Sequence, residues 1–97
     1  MPKGYWIANN VITDAGEYEK YKAANLEIFA RYGARFVARG GPQQVREGDA
    51  YERTVVIEFP SMQAAIECYD DPAYVASRAI RQSAAEGRLI IVEGYDG

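Results

Sequence analysis

Two periodicities alternate along the chain, and the changes from one to the other mark its elements. Tyr5 to Ile12, Ala34 to Arg39, Arg53 to Phe59 and Arg88 to Glu93 carry the two-residue repeat and β-branched or aromatic content of strands. The first of these has no polar side, since Trp6, Ala8 and Ile12 oppose Tyr5, Ile7 and Val11. That composition predicts a strand covered on both faces. Between the first two strands, Tyr18, Tyr21, Asn25, Ile28, Phe29 and Tyr32 recur at helical spacing. Asp14 with Glu17 has the form of a capping box, and Gly33 is a C-terminal stop, so this helix is predicted to run to about Tyr32. Ser61 to Tyr69 reads as a short helix capped by Ser61, broken at Asp70-Asp71-Pro72. Asp71 with Pro72 at the first helical position then starts a further helix, expected to reach about Glu86 and stop at Gly87. Gly40-Gly41-Pro42 predicts a bulge or bend after the second strand, with Gln43 to Glu47 resuming the pairing, Glu47 to Ala50 turning, and Tyr95 to Gly97 a tail.

The order β-α-β-β-α-α-β is that of a split βαβ, ferredoxin-like α+β fold with a broken second helix, spanning residues 1–97 as a single domain. The expected four-stranded antiparallel sheet has order 4-1-3-2 and helices on one face, with strands one and three central and parallel. Taking the more apolar parity of each strand as helix-facing puts Ile7, Val11, Phe36, Ala38, Val55, Ile57, Phe59, Ile90 and Val92 inside. The open face then carries Trp6, Ala8, Asn10, Ile12, Arg35, Val37, Arg39, Thr54, Val56, Glu58, Leu89, Ile91 and Glu93. So large an apolar surface calls for cover. A second copy packed sheet to sheet would supply it at about 800 Å² per partner, which makes a homodimer the expectation.

Composition narrows the chemistry. The chain has no His and one Cys, which removes imidazole metal sites, Ser-His or Cys-His pairs and an intramolecular disulfide. No metal site and no cofactor motif is read. A net charge of −3 argues against nucleic acid. There is no run long enough to span a membrane and no signal-peptide pattern after Met1, so a cytoplasmic location is the default expectation.

A set of ordered segments resembles one family. Tyr5-Trp-Ile-Ala8, Tyr32-Gly-Ala-Arg-Phe-Val-Ala-Arg-Gly-Gly41, Val56-Ile-Glu-Phe-Pro-Ser61, Tyr69-Asp-Asp-Pro-Ala-Tyr74, Arg81-Gln-Ser-Ala-Ala-Glu-Gly87 and Val92-Glu-Gly94 are similar to the domain-of-unknown-function family 1330 (DUF1330), within the dimeric α+β barrel superfamily. The resemblance implies a ferredoxin-like protomer and a homodimer. It does not supply a function. The wider superfamily includes cofactor-free monooxygenases, haem-degrading enzymes and ligand sensors, which the chain resembles in architecture alone.

The candidate site is a pocket for a small, partly apolar molecule, neutral or anionic, in an enzyme or in a non-catalytic binding or structural dimer. Glu58 is the candidate acid/base. Arg39 is the candidate anion anchor, although the glycine pair leaves open whether Arg35 or Arg39 faces Glu58. Asn10 and Glu93 complete that cluster; a buried ion pair fixing the dimer register is the competing role. Trp6, Tyr69 and Tyr74 are candidate pocket aromatics, with core packing as the alternative, and the helix break between the two tyrosines could receive an anion at its backbone amides. Arg78 and Arg81 on the last helix are further candidates; Arg81, which falls on a motif position of the family, could reach Glu58 or a ligand, and a solvated helix face competes with that reading. Cys68 reads as a buried, inert thiol.

Overall fold

The computed structural model describes residues 2–95; Met1 and, at the tail, Asp96 and Gly97 lie outside the described residues. The elements are β1 (Gly4–Ile12), α1 (Ala15–Arg31), β2 (Arg35–Arg39), β3 (Arg53–Phe59), α2 (Met62–Asp70), α3 (Pro72–Ala84) and β4 (Ala85–Glu93). They form an α+β, ferredoxin-like fold with one four-stranded sheet of order β2-β3-β1-β4, the expected order read from the other edge. β1 and β3 are central, but they pair antiparallel, not parallel as expected. Connectivity requires this. α1 returns the chain so that β2 runs along β1, and the β2–β3 connection reverses it once more.

Local signals set the helix boundaries. Asp14 Oδ1 accepts from the Glu17 amide at 3.1 Å, and Ser61 Oγ from the Ala64 amide at 3.1 Å. Asp71 Oδ1 accepts from the Ala73 amide at 2.8 Å, with Pro72 in the first turn of α3. Gly33 ends α1 with φ +68°, a conformation that favours glycine. α3 stops earlier than its composition predicts. β4 begins at Ala85 because β1 still offers unpaired backbone there, and Ile12, Val11 and Asn10 pair with Ala85, Glu86 and Gly87. Gly87 is thus a close-approach residue in a strand, not a helix stop. A Cβ on it would collide with the Asn9 carbonyl and with Asn10. Gln43 to Glu47 does not resume pairing and is irregular.

The largest correction concerns the faces of β1 and β4. Trp6, Ala8 and Asn10 point to the helices, and Ile7 and Val11 lie on the open face. The registers carry this across the sheet. Trp6 stands opposite Ile57 and Ile91, and Ala8 opposite Val55 and Leu89, so Leu89 and Ile91 face inward while Ile90 and Val92 face outward. The β3 assignment stands, with Val55, Ile57 and Phe59 buried. The physical reason is burial. On the helix side the indole of Trp6 is 1% exposed and touches Phe29, Phe59, Tyr69 and Tyr74 with ring centroids 4.9–5.7 Å apart, whereas the open face would leave it in water. Its Nε1–H donates to the Ala65 carbonyl at 2.9 Å, so the one polar atom of the ring is satisfied in the core.

A second correction follows from a bulge between Phe36 and Ala38. Phe36 pairs with Ile57 on the inner face, yet Ala38 pairs with outward Val56 and Arg39 with inward Val55. One extra residue reverses the parity of everything after it. Arg39 therefore leaves the open face, and Arg35 is the residue opposite Glu58.

Candidate functional site

Three elements enclose a cleft between α1, α3 and the inner face of the sheet. α1 contributes Tyr18, Tyr21 and Asn25 from the face its periodicity predicts, and Lys22 from beside it. The sheet contributes Trp6, Ala8, Asn10, Phe36, Val55 and Ile57, and α3 contributes Arg81. The inner cavity is about 40 Å³, room for a few waters or a small apolar group. It adjoins an outer, polar vestibule of about 310 Å³ lined by Asn10, Arg81, Gln82, Ala85, Glu86 and Gly87. Asn10 and Arg81 line both spaces and so stand at their junction.

Every charged side chain lining the inner cavity is cationic: Lys22, Arg39, Arg53 and Arg81. Lys22 is paired with Glu19 at 3.0 Å. The guanidinium of Arg39 lies 4.1 Å from the centroid of the Phe36 ring. That of Arg53 lies 5.2 Å from the centroid of the Tyr18 ring and donates to the Tyr18 hydroxyl at 2.9 Å. These contacts orient the two arginines while leaving their charges without a carboxylate partner among the described residues.

Two hydrogen-bonded pairs back the cleft. Tyr21 and Tyr74 are joined oxygen to oxygen at 2.7 Å, and the Ser77 hydroxyl donates to Asn25 Oδ1 at 2.7 Å. Burial pushes both tyrosine hydroxyls above their ordinary range, far above it for Tyr74, while the Arg81 charge opposes the shift. The pair stays protonated and can pass one hydrogen bond into the cavity. Two polar atoms in the region are buried without a partner: Asn10 Oδ1, on a residue 5% exposed, and Arg81 Nε. Buried orphans of this kind call for water or a ligand.

The candidate residues fall in three places. Trp6, Asn10, Arg39 and Arg81 line the cleft. Tyr69 and Tyr74 stand behind Trp6 in the aromatic cluster, Tyr74 fully buried, and the Arg78 guanidinium sits 4.5 Å from the Tyr69 ring centroid. At the helix break between them the Asp71 carboxylate takes the Ala73 amide, capping α3, and also accepts from the Tyr32 hydroxyl at 2.6 Å. Glu58 lies on the opposite face of the sheet. Its carboxylate accepts from Arg35 Nε at 2.7 Å and from the Tyr5 hydroxyl at 3.3 Å. The Arg35 hydrogen bond holds its pKa below the usual value, against a smaller opposing desolvation. Glu93 is exposed at the far end of β4, opposite Gly4, so the cluster of Arg39, Glu58, Glu93 and Asn10 does not assemble. Cys68 is fully buried, and burial pushes its thiol up to about 12.

The cleft also uses residues that the sequence pattern assigned to packing or left aside. Tyr18 and Tyr21 read as core. Asn25 carried a signal, a polar residue on an otherwise apolar helix face, and so did Arg53, a cation on the inner parity of the central strand.

Residues 3–95 match the sequence profile of the family described as "Domain of unknown function (DUF1330)". No curated protein matches the chain. Among solved structures, the chain is similar to a protein of unknown function from Rhodopseudomonas palustris, at 21% identity and TM-score 0.79, over 99% of this chain and 85% of that one. It is similar to SnoaB, a cofactor-independent oxygenase from Streptomyces nogalater, at 14% identity and TM-score 0.64, over 100% and 97% of the two chains. A dimeric ferredoxin-like protein of unknown function from Thermobifida fusca aligns at 17% identity and TM-score 0.59, over 95% and 89%. At these identities the likenesses show the fold.

Proposed function

We propose that this chain, which belongs to the DUF1330 family, binds a small, partly apolar, anionic molecule in the cleft between α1, α3 and the inner sheet face. One observation carries the reading: in a chain of net charge −3, all the charged groups lining an apolar, aromatic cavity are positive. An acid with a short apolar tail matches that lining, with the tail against Trp6, Phe36 and Val55 and the carboxylate among the arginines. Likeness in fold to an oxygenase makes turnover of such a molecule a natural extension, with the protonated Tyr21–Tyr74 pair as hydrogen-bond donor.

The working unit in this reading is a homodimer. Ile7, Val11, Val56, Ile90 and Val92 form an apolar field on the open face, with Ile90 56% exposed. The fold is also shared with a dimeric ferredoxin-like protein. Glu58, paired with Arg35 on that face, then serves the register of the interface and not the cleft.

Trp6 is the chain's one tryptophan and lines the cavity, so its fluorescence reports occupancy. Butyrate, isovalerate, benzoate and phenylacetate, titrated beside the alcohols of the same skeletons, are expected to include acids with a Kd below about 1 mM, each at least about tenfold tighter than its alcohol. Equal binding of acids and alcohols, or no saturable binding of any acid, would refute the reading.

A further inference from the structure

The junction between cavity and vestibule narrows the class of acid. Asn10 Oδ1 is an acceptor without a donor, and Arg81 Nε–H is a donor without an acceptor. The two side chains line the same two spaces and are not bonded to each other. In the amide orientation seen here, a plain carboxylate can satisfy Arg81 but brings no proton to Asn10 Oδ1 and sets oxygen against oxygen. A hydroxyl satisfies both at once, accepting from Nε–H and donating to Oδ1. The same guanidinium edge presents an Nη–H beside Nε–H, at the spacing that meets two neighbouring oxygens. A carboxylate oxygen on the carbon next to the hydroxyl would take that second donor.

We infer that Asn10 and Arg81 form a subsite for a 2-hydroxy acid, or an aromatic acid with an ortho hydroxyl, its hydroxyl bridging the two residues. The inference rests on the anion-binding reading above and names the headgroup that the same cleft selects. The architecture holds the pair in place. Asn10 is pinned between β3 and β4, where Gly87 allows close approach of the strands, and Arg81 lies in the last turn of α3. Discrimination comes from the acceptor: an acid lacking the hydroxyl leaves Asn10 Oδ1 desolvated and unpaired, which costs affinity without adding a clash.

Three matched pairs test this on the intact protein by calorimetry and Trp6 fluorescence: 2-hydroxybutyrate against butyrate, mandelate against phenylacetate, and salicylate against benzoate. At least one hydroxy acid is expected to bind about tenfold tighter than its parent. Asn10→Leu is expected to erase that advantage, so that within the variant each hydroxy acid binds within about twofold of its parent, and Arg81→Gln to weaken both members of a pair. Parent acids that bind as tightly as all three hydroxy acids would overturn the inference and leave the anion-binding reading standing. A hydroxyl advantage that survives in a folded Asn10→Leu variant would also overturn it. Absence of binding by every acid would remove both. The wild-type comparison needs no variant, so misfolding of a mutant does not protect the inference.

Discussion

Replacing Trp6 with Phe tests the orientation of the central strand on which the cleft depends. The indole is 1% exposed and packs against four aromatic rings, and its Nε1–H meets the Ala65 carbonyl at 2.9 Å. Phe keeps one ring and loses the donor. The lost buried hydrogen bond costs about 1 kcal/mol. The unfilled volume of the missing ring costs a further 1–2 kcal/mol or so, since a well-packed aromatic cluster relaxes only in part. The total of about 2–3 kcal/mol is a large fraction of the roughly 5–15 kcal/mol that stabilises a domain of this size. It corresponds to a fall in Tm of about 10–20 °C. Thermal and urea unfolding followed by far-UV circular dichroism measures this without the lost fluorophore. Protein concentration must be held constant, because association adds to apparent stability. A loss below about 0.5 kcal/mol would mean that Trp6 faces away from the helices, and the cleft would lose its floor.

Two further outcomes concern the open face. Ile90→Asp is expected to convert a species of twice the 10.8 kDa chain mass into a monomer in sedimentation velocity, because it places a charge in the apolar field; a wild-type chain already monomeric at micromolar concentration would contradict the dimer. Glu58 has a folded pKa held below its ordinary value of 4.5, so its stabilising contribution is present above that value and lost as pH falls through the folded one. Wild type should therefore lose stability faster than Glu58→Gln below about pH 4.5, and a gap between them that stays constant down to about pH 3 would refute the Arg35 pairing.

Much of the fold was legible because its signals are local. Asp14, Ser61 and Asp71 cap the helices that their spacing predicts, and Gly33 ends α1 with the positive φ expected of it. The buried face of α1 is the one that its helical repeat marks, including Asn25. The cleft was legible only in its parts. Trp6, Asn10, Arg39 and Arg81 stood out as residue types, but Glu58 and Glu93 stood out equally and lie elsewhere. A carboxylate in an apolar strand has the same appearance in sequence whether it enters a pocket or faces outward to an arginine.

Residue order alone determined the succession of elements and the helix N-caps, because each depends on neighbours within a turn or two of chain, while the boundary between α3 and β4 was set by pairing with β1. It could not decide the sides of the sheet. A two-residue repeat looks the same when turned over, and β1 and β4 are apolar on both parities, so alternation carried no sign. Tertiary packing supplied that sign through two long-range facts: the Trp6 indole is buried among Phe29, Phe59, Tyr69 and Tyr74, and one bulged residue in β2 turns Arg39 inward and leaves Arg35 to meet Glu58.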